Sequence, residues 1–371
     1  MPDEEVRVST LELFFDLVFV FTLTQLTALL ADDLTVETMA RVVLIFVVLF
    51  WMYGAYAWLT NQVPPDRPAR RLLLILGMAA FLICALAVPH AFDGGGVAFG
   101  LGYLLVVLVH GGLYAEAYGT VALRFAPLNV VAALIVTVAG LLGTPGAYGL
   151  WVAAILVEVL TPRVSARAAD QLQVRPAHFV ERHGLLLIVA LGESVVAIGV
   201  GLGDVPLDLG LVVAAVLGLV LAAALWWSYF SGDEQAAERA LSASSGHRRF
   251  RLAHHAYFYA YVLMLVGVIV IAAGVKKSIG SMADRLDTAP ALALAGGVAI
   301  YLAGDVAFRL GLGIRPVGYR AAAAVAALAT VALGTSLAAV VQLVGLVGVL
   351  VAALAGEERH RRRAATTSGA G

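Results

Sequence analysis

Glu12 and Asp16 stand four residues apart in an otherwise apolar stretch, VSTLELFFDLVFVFTLTQLTALL from Val8 to Leu30, and share one face of a helix formed there. A carboxylate carried toward a bilayer interior costs about 2.5–3.5 kcal/mol on insertion scales, so two on one face call for partners or water. The chemistry open to such a pair is proton or cation binding. Leu23 and Thr27 continue the stripe, whereas Gln25 lies about 180° round the helix from Asp16 and faces a different neighbour. A second stretch, FVERHGLLLIVALGESVVAIG from Phe179 to Gly199, carries Glu181, Arg182, His183 and Glu193. Arg182 and Glu193 share a face but lie about 16 Å apart along the axis, so each needs a partner on another helix. Glu193 reads as a mid-membrane carboxylate, with Gly192 beside it to admit a close helix; the plainer reading is an interhelical hydrogen bond. His183, close to Glu181, fits either a proton relay or a structural interfacial histidine.

Other polar groups are scattered through apolar runs. His110 and Tyr114 share a helix face, with Glu116 near its end; Glu158 and Asp305 sit inside later runs and are candidate partners for the arginines. In RLAHHAYFYAYVL, His254 and His255 point about 100° apart and lack the converging ligands that zinc demands. With Tyr257, Tyr259 and Tyr261 they read as an aromatic belt. Cys84 is the single cysteine and reads as a buried hydrophobe, which excludes disulfides. There is no Walker A pattern, HExxH or GxSxG, and Gly94, Gly95 and Gly96 form a turn without a phosphate loop's context. No metal and no cofactor are expected.

These residues must be positioned by membrane helices. Of the 371 residues, 61% are hydrophobic and 13% charged, with mean hydropathy +0.94; soluble domains carry about 25% charge. The expectation is an all-α polytopic integral membrane protein. A net charge of −1 argues against nucleic acid as a partner, leaving the lipid bilayer and a small solute or ion, with a homo-oligomer open. Runs of spanning length fall near 11–30, 37–60, 70–91, 97–119, 125–143, 146–162, 179–202, 207–231, 251–275, 289–309, 317–335 and 337–355. Only Gly334, Thr335 and Ser336 separate the last two, so ten or eleven spans is the alternative to about twelve. With the N-terminus in the cytoplasm, all of the 24 basic residues except Arg41, Lys276, Lys277 and Arg285 fall on the cytoplasmic side, Arg124, Arg163 and Arg167 among them. The positive-inside rule then puts both termini in the cytoplasm, which needs an even number of spans. The acidic start, MPDEEVR, has no cleavable-signal character.

Glu12 and Glu181 open the first and seventh helices, LFWMYGAY resembles LWWSYF around Trp51 and Trp226, and Arg71 matches Arg251, at slowly drifting offsets. Two six-helix parallel repeats are therefore expected, at 1–162 and 179–355, joined by a cytoplasmic link at 163–178. A basic tail without structure is expected at 356–371, drawn to anionic lipid by its arginines.

LELFFDLVFVFTLTQL and ERHGLLLIVALGESVVAIG, supported by FWMYGAYAWLTN and HHAYFYAYVLMLVGVIVIAAG, resemble the bacterial low temperature requirement A (LtrA) family up to about residue 355. The resemblance implies a bacterial polytopic membrane protein named for a growth requirement in the cold, and supplies no mechanism. The residues matching its motifs are Glu12, Phe14, Phe15, Asp16 and Gln25, then Glu181, Arg182, His183, Gly184, Gly192, Glu193 and Ser194. The functional expectation is a transporter or channel in the inner membrane, using Asp16 and Glu193, and not an enzyme. A membrane enzyme or accessory acting on lipids at the cytoplasmic interface, or a structural protein needed in the cold, are the alternatives.

Overall fold

A computed structural model describes residues 7–119, 126–164, 174–202 and 209–368, and every regular element among them is helical. In chain order these are α1 (Thr10–Asp32), α2 (Val36–Gln62), α3 (Pro68–Ala87), α4 (Gly96–Tyr118), α5 (Ala126–Leu142), α6 (Gly146–Val164) and α7 (Pro176–Leu202). Then follow α8 (Leu209–Phe230), α9 (Asp233–Ser242), α10 (Gly246–His254), α11 (Tyr261–Ser278), α12 (Thr288–Leu312), α13 (Gly318–Ala329), α14 (Val331–Ser336) and α15 (Ala339–Ser368). Local chemistry sets several ends. Ser9 and Glu12 form a capping box at α1, Thr35 caps α2 at the Thr38 amide, and Pro68 opens α3 where a missing N–H costs nothing. Gly313, at φ 75°, closes α12 in the left-handed conformation.

Among the described residues, ten helical stretches are long and apolar enough to cross a membrane; the stretches Pro127–Leu142 and Gly146–Thr161 are apolar but shorter. Large apolar side chains such as Leu72, Leu86, Leu108, Leu141 and Leu219 remain exposed along these helices. A surface of that kind is stable only against lipid or another apolar surface. The protein is a multi-pass membrane protein.

The chain packs as two compact units, one of residues 1–189 with 241–254, the other of 190–240 with 255–371. These are units of packing, and their boundaries fall inside α7, inside α9 and at the end of α10; residues 165–173 of the link expected at 163–178 lie outside the described set, Arg167 among them, as does Arg124. In the first unit, α1 packs on α3, α3 on α4, α4 on α5, and α6 on α5 and α2. The α4–α5 crossing is tight: a Cβ on Gly140 would run into the Gly96 carbonyl carbon. In the second unit α11 and α12 form the core pair, with Gly267 against the Tyr301 backbone, and α15 packs on α8 and α13.

Two expectations need correction here. The tail from residue 356 is helical to Ser368, because Glu357 is drawn into a buried ion-pair network. Tyr257 and Tyr261 are not belt residues: both are fully buried, packed against Phe308 and Tyr229. A π-helical turn over His255–Ala260 precedes α11, and its extra residue per turn changes which side chains face inward.

Candidate functional site

In the first unit, Arg182 on α7 is the centre of a buried polar cluster. Its Nη1 donates to Glu12 Oε1 at 3.0 Å and to Thr60 Oγ1, and its Nη2 donates to Asp16 Oδ1 at 3.1 Å. Glu12, Asp16 and Arg182 are each no more than 2% exposed. Tyr53 donates its hydroxyl to the same Asp16 Oδ1 at 2.9 Å. The guanidinium also lies 5.7 Å from the Phe15 ring centre and 5.8 Å from that of Tyr53, so aromatic faces replace part of its hydration. Glu12 is pinned from the other side, where Oε2 accepts from the Ser9 amide at 2.9 Å and the Ser9 hydroxyl at 2.7 Å. Asp16 Oδ2 and Arg182 Nε are buried without a hydrogen-bond partner.

His178 borders this cluster, and its hydrogen bonds define its tautomer. The Arg175 amide donates to Asn61 Oδ1 at 2.9 Å, which orients the Asn61 amide. Asn61 Nδ2 then donates to the Arg175 carbonyl at 3.0 Å and to His178 Nδ1 at 3.2 Å. Nδ1 is thus an acceptor, and the ring proton is on Nε2, facing Glu12 Oε2 at 3.4 Å. The cluster thus gathers two carboxylates, one guanidinium and one imidazole.

Sequence reasoning named Glu12, Asp16 and Arg182 but missed His178, Asn61, Thr60 and Tyr53. Three of those four lie in FWMYGAYAWLTN, whose polar ending on an apolar helix was the available signal. The S-x-x-E spacing of Ser9 and Glu12 likewise announced a capping role for Glu12.

The remaining first-unit candidates lie elsewhere. Glu181 is half-buried and accepts from the Val8 amide at 3.4 Å. His183 is fully buried, with Nδ1 donating to the Phe179 carbonyl at 2.8 Å, so the relay with Glu181 is not formed: residues two apart on a helix point to opposite sides. Gln25 is half-buried, far along α1 from Arg182's partners. His110 is buried beside Tyr56 and Tyr114. Glu116 is at the surface, paired with Arg70 at 2.6 Å and Arg67 at 3.3 Å. Glu158 partners Tyr103 rather than an arginine. His254 packs edge-on to Trp51 and parallel to Phe250.

The sequence pattern of the bacterial low temperature requirement A protein (LtrA) family matches residues 7–355. The chain belongs to this family. An uncharacterized protein of Rhizobium meliloti (strain 1021) is 29% identical over 318 residues, covering 82% of this chain and 77% of that protein. No solved structure matches.

The second unit of this LtrA protein contains an ion-pair network of its own. Arg309 grips Asp233 with two bonds, at 2.6 and 2.8 Å, and reaches Glu357 Oε1 at 2.7 Å. Arg320 donates to Glu357 Oε2 at 2.9 Å, to Asp305 Oδ2 at 2.7 Å and to the Ser228 carbonyl at 3.0 Å. Arg361 adds a third guanidinium, 2.5 Å from Glu357. Three carboxylates face three guanidiniums in this network. Asp305 is the predicted arginine partner; Glu357 lies beyond the LtrA match. Glu193, on the second-unit part of α7, is buried at 7% exposure, and Ser194 beside it is buried too. Gly192 points outward with nothing near its Cβ position, so it mediates no close helix approach among the described residues. His255 is exposed beside Tyr259 and covers Gly311. Among the described residues, no three His, Cys, Asp or Glu side chains converge to hold a metal.

Proposed function

We propose that this LtrA protein moves a proton or small cation, alone or with a solute, across the membrane, and that Asp16 is the binding group. The observation that carries this reading is the charge count around Arg182. Glu12 and Asp16 share one guanidinium, and His178 stands against Glu12 rather than Asp16. A buried carboxylate left half-compensated costs several kcal/mol, and a proton or cation at Asp16 Oδ2 would remove that cost. Arrival of that charge at Asp16 weakens the bond to Arg182 Nη2, while Glu12 and Thr60 retain Nη1. The guanidinium is thus a two-position element whose preference the bound charge sets. Glu193 serves as a separate carboxylate in the second unit.

The wider topology belongs to the same proposal: about twelve crossings, both termini on the cytoplasmic side of the inner membrane, and two parallel six-helix repeats. The arginine distribution supports the orientation. The two shorter stretches, about 24 Å long at 1.5 Å per residue, complete the count with modest local thinning of the bilayer.

The test uses purified protein in sealed liposomes with an internal pH dye and an imposed potential. Proton, sodium or potassium flux is expected from wild type and lost in Asp16→Asn, with Glu193→Gln reporting whether the second unit takes part. Absence of flux with any of these ions, from folded protein, overturns the reading. A structural role is the second reading, favoured by the double engagement of Glu12 as helix cap and arginine partner. It predicts that Asp16→Asn alters stability alone.

A further inference from the structure

Glu158 lies well inside α6 and is 1% exposed. Its Oε1 is in hydrogen-bond contact with the Tyr103 hydroxyl on α4, and that same hydroxyl lies 3.3 Å from the Val48 carbonyl oxygen on α2. Its Oε2 is buried and has no hydrogen-bond partner. Packing enforces this arrangement: Trp151, two turns before Glu158, meets the ring of Phe99, one turn before Tyr103, with centres 5.2 Å apart. Among the described residues, Tyr103 is the side chain hydrogen-bonded to Glu158, and no arginine, lysine or histidine pairs with it. The Arg182 cluster shares no residue with this site.

Counting hydrogens decides what the site holds. A phenol has one hydrogen to donate, and a carbonyl or an ionised carboxylate has none. With Glu158 ionised, its carboxylate and the Val48 carbonyl would compete for the one Tyr103 hydrogen, and a charge would lie buried with no counter-ion. With a proton on Oε1, Glu158 donates to the Tyr103 oxygen and Tyr103 donates onward to Val48, so every contact has its hydrogen. We infer that Glu158 is a proton-binding site of the first unit, its carboxyl joined in series to Tyr103 and the Val48 carbonyl. This site goes beyond the Asp16 proposal and does not depend on it.

The experiment is infrared spectroscopy of the full chain reconstituted in lipid, comparing wild type with Glu158→Gln. The substitution keeps the size of the side chain and its capacity to bond Tyr103. The expected difference is one protonated-carboxyl C=O band, present in wild type, lost in the variant, and shifted in D2O. A difference spectrum showing carboxylate bands instead overturns the inference. So does a carboxyl band that never shifts in D2O, since a proton that does not exchange is structural. If Glu158→Gln fails to fold, Tyr103→Phe is compared with wild type: the same band is expected to move, and an unmoved band overturns the inference. Flux plays no part in this readout, so its outcome is separable from that of the Asp16 test.

Discussion

At the scale of single residues, three substitutions in the Arg182 cluster are expected to fall in a fixed order. Arg182→Ala leaves Glu12 and Asp16 buried without a cation, and breaking a buried pair in this way costs about 3–5 kcal/mol. Arg182→Lys is expected to fall short of rescue, since an ammonium lacks the planar fork that reaches Glu12, Thr60 and Asp16 together. Asp16→Asn removes a buried negative charge while Glu12 keeps Arg182 paired, and leaves stability unchanged or raised, at the cost of the proposed binding group. Thermal unfolding of the three variants in one detergent checks the order: Arg182→Ala lowest, Arg182→Lys intermediate, Asp16→Asn at or above wild type. Asp16→Asn falling as far as Arg182→Ala would show that Asp16 is needed as a charge for folding.

At the scale of elements, glycine serves two different ends that the sequence does not distinguish. Gly140 and Gly96 bring the α4 and α5 backbones together, so a methyl at Gly140 has backbone, not a flexible side chain, in its way. Gly140→Ala should cost about 1–3 kcal/mol, the usual range for overpacking. Gly149, on α6, has open space at the same position, and Gly149→Ala should leave stability unchanged. Denaturation of both variants side by side checks the contrast, and equal effects would refute the packing account. Gly192 resembles Gly149 in this respect, and among the described residues no helix approaches it closely.

At the scale of the whole molecule, the end of α15 is part of the second unit's structure although the LtrA match stops at residue 355. Glu357 is shared by two buried arginines, and Arg361 reaches back to both Glu357 and Asp233. A chain ending after residue 355 leaves Arg309 and Arg320 short of a carboxylate and should lose about 3–5 kcal/mol. A chain ending after Arg363 should behave as full length. Unfolding of the two truncations, read beside intact protein, checks this; equal stability would mean that the network tolerates the loss of Glu357.

The amino-acid sequence by itself determined the membrane class, the order of apolar helices, the LtrA family, and the buried stripe of Glu12, Asp16 and Thr27 on α1. These follow from composition and from helical periodicity, both local properties. Only the tertiary structure decided partners, because a charge's partner is chosen by contact between helices far apart in the chain. Arg182 thus meets Glu12 and Asp16 while Glu193 on the same helix does not join them, and Glu158 turns to Tyr103 instead of an arginine. The same contacts order the tail through Glu357 and draw Tyr257 and Tyr261 into the core, outcomes that a periodic pattern read along one helix does not contain.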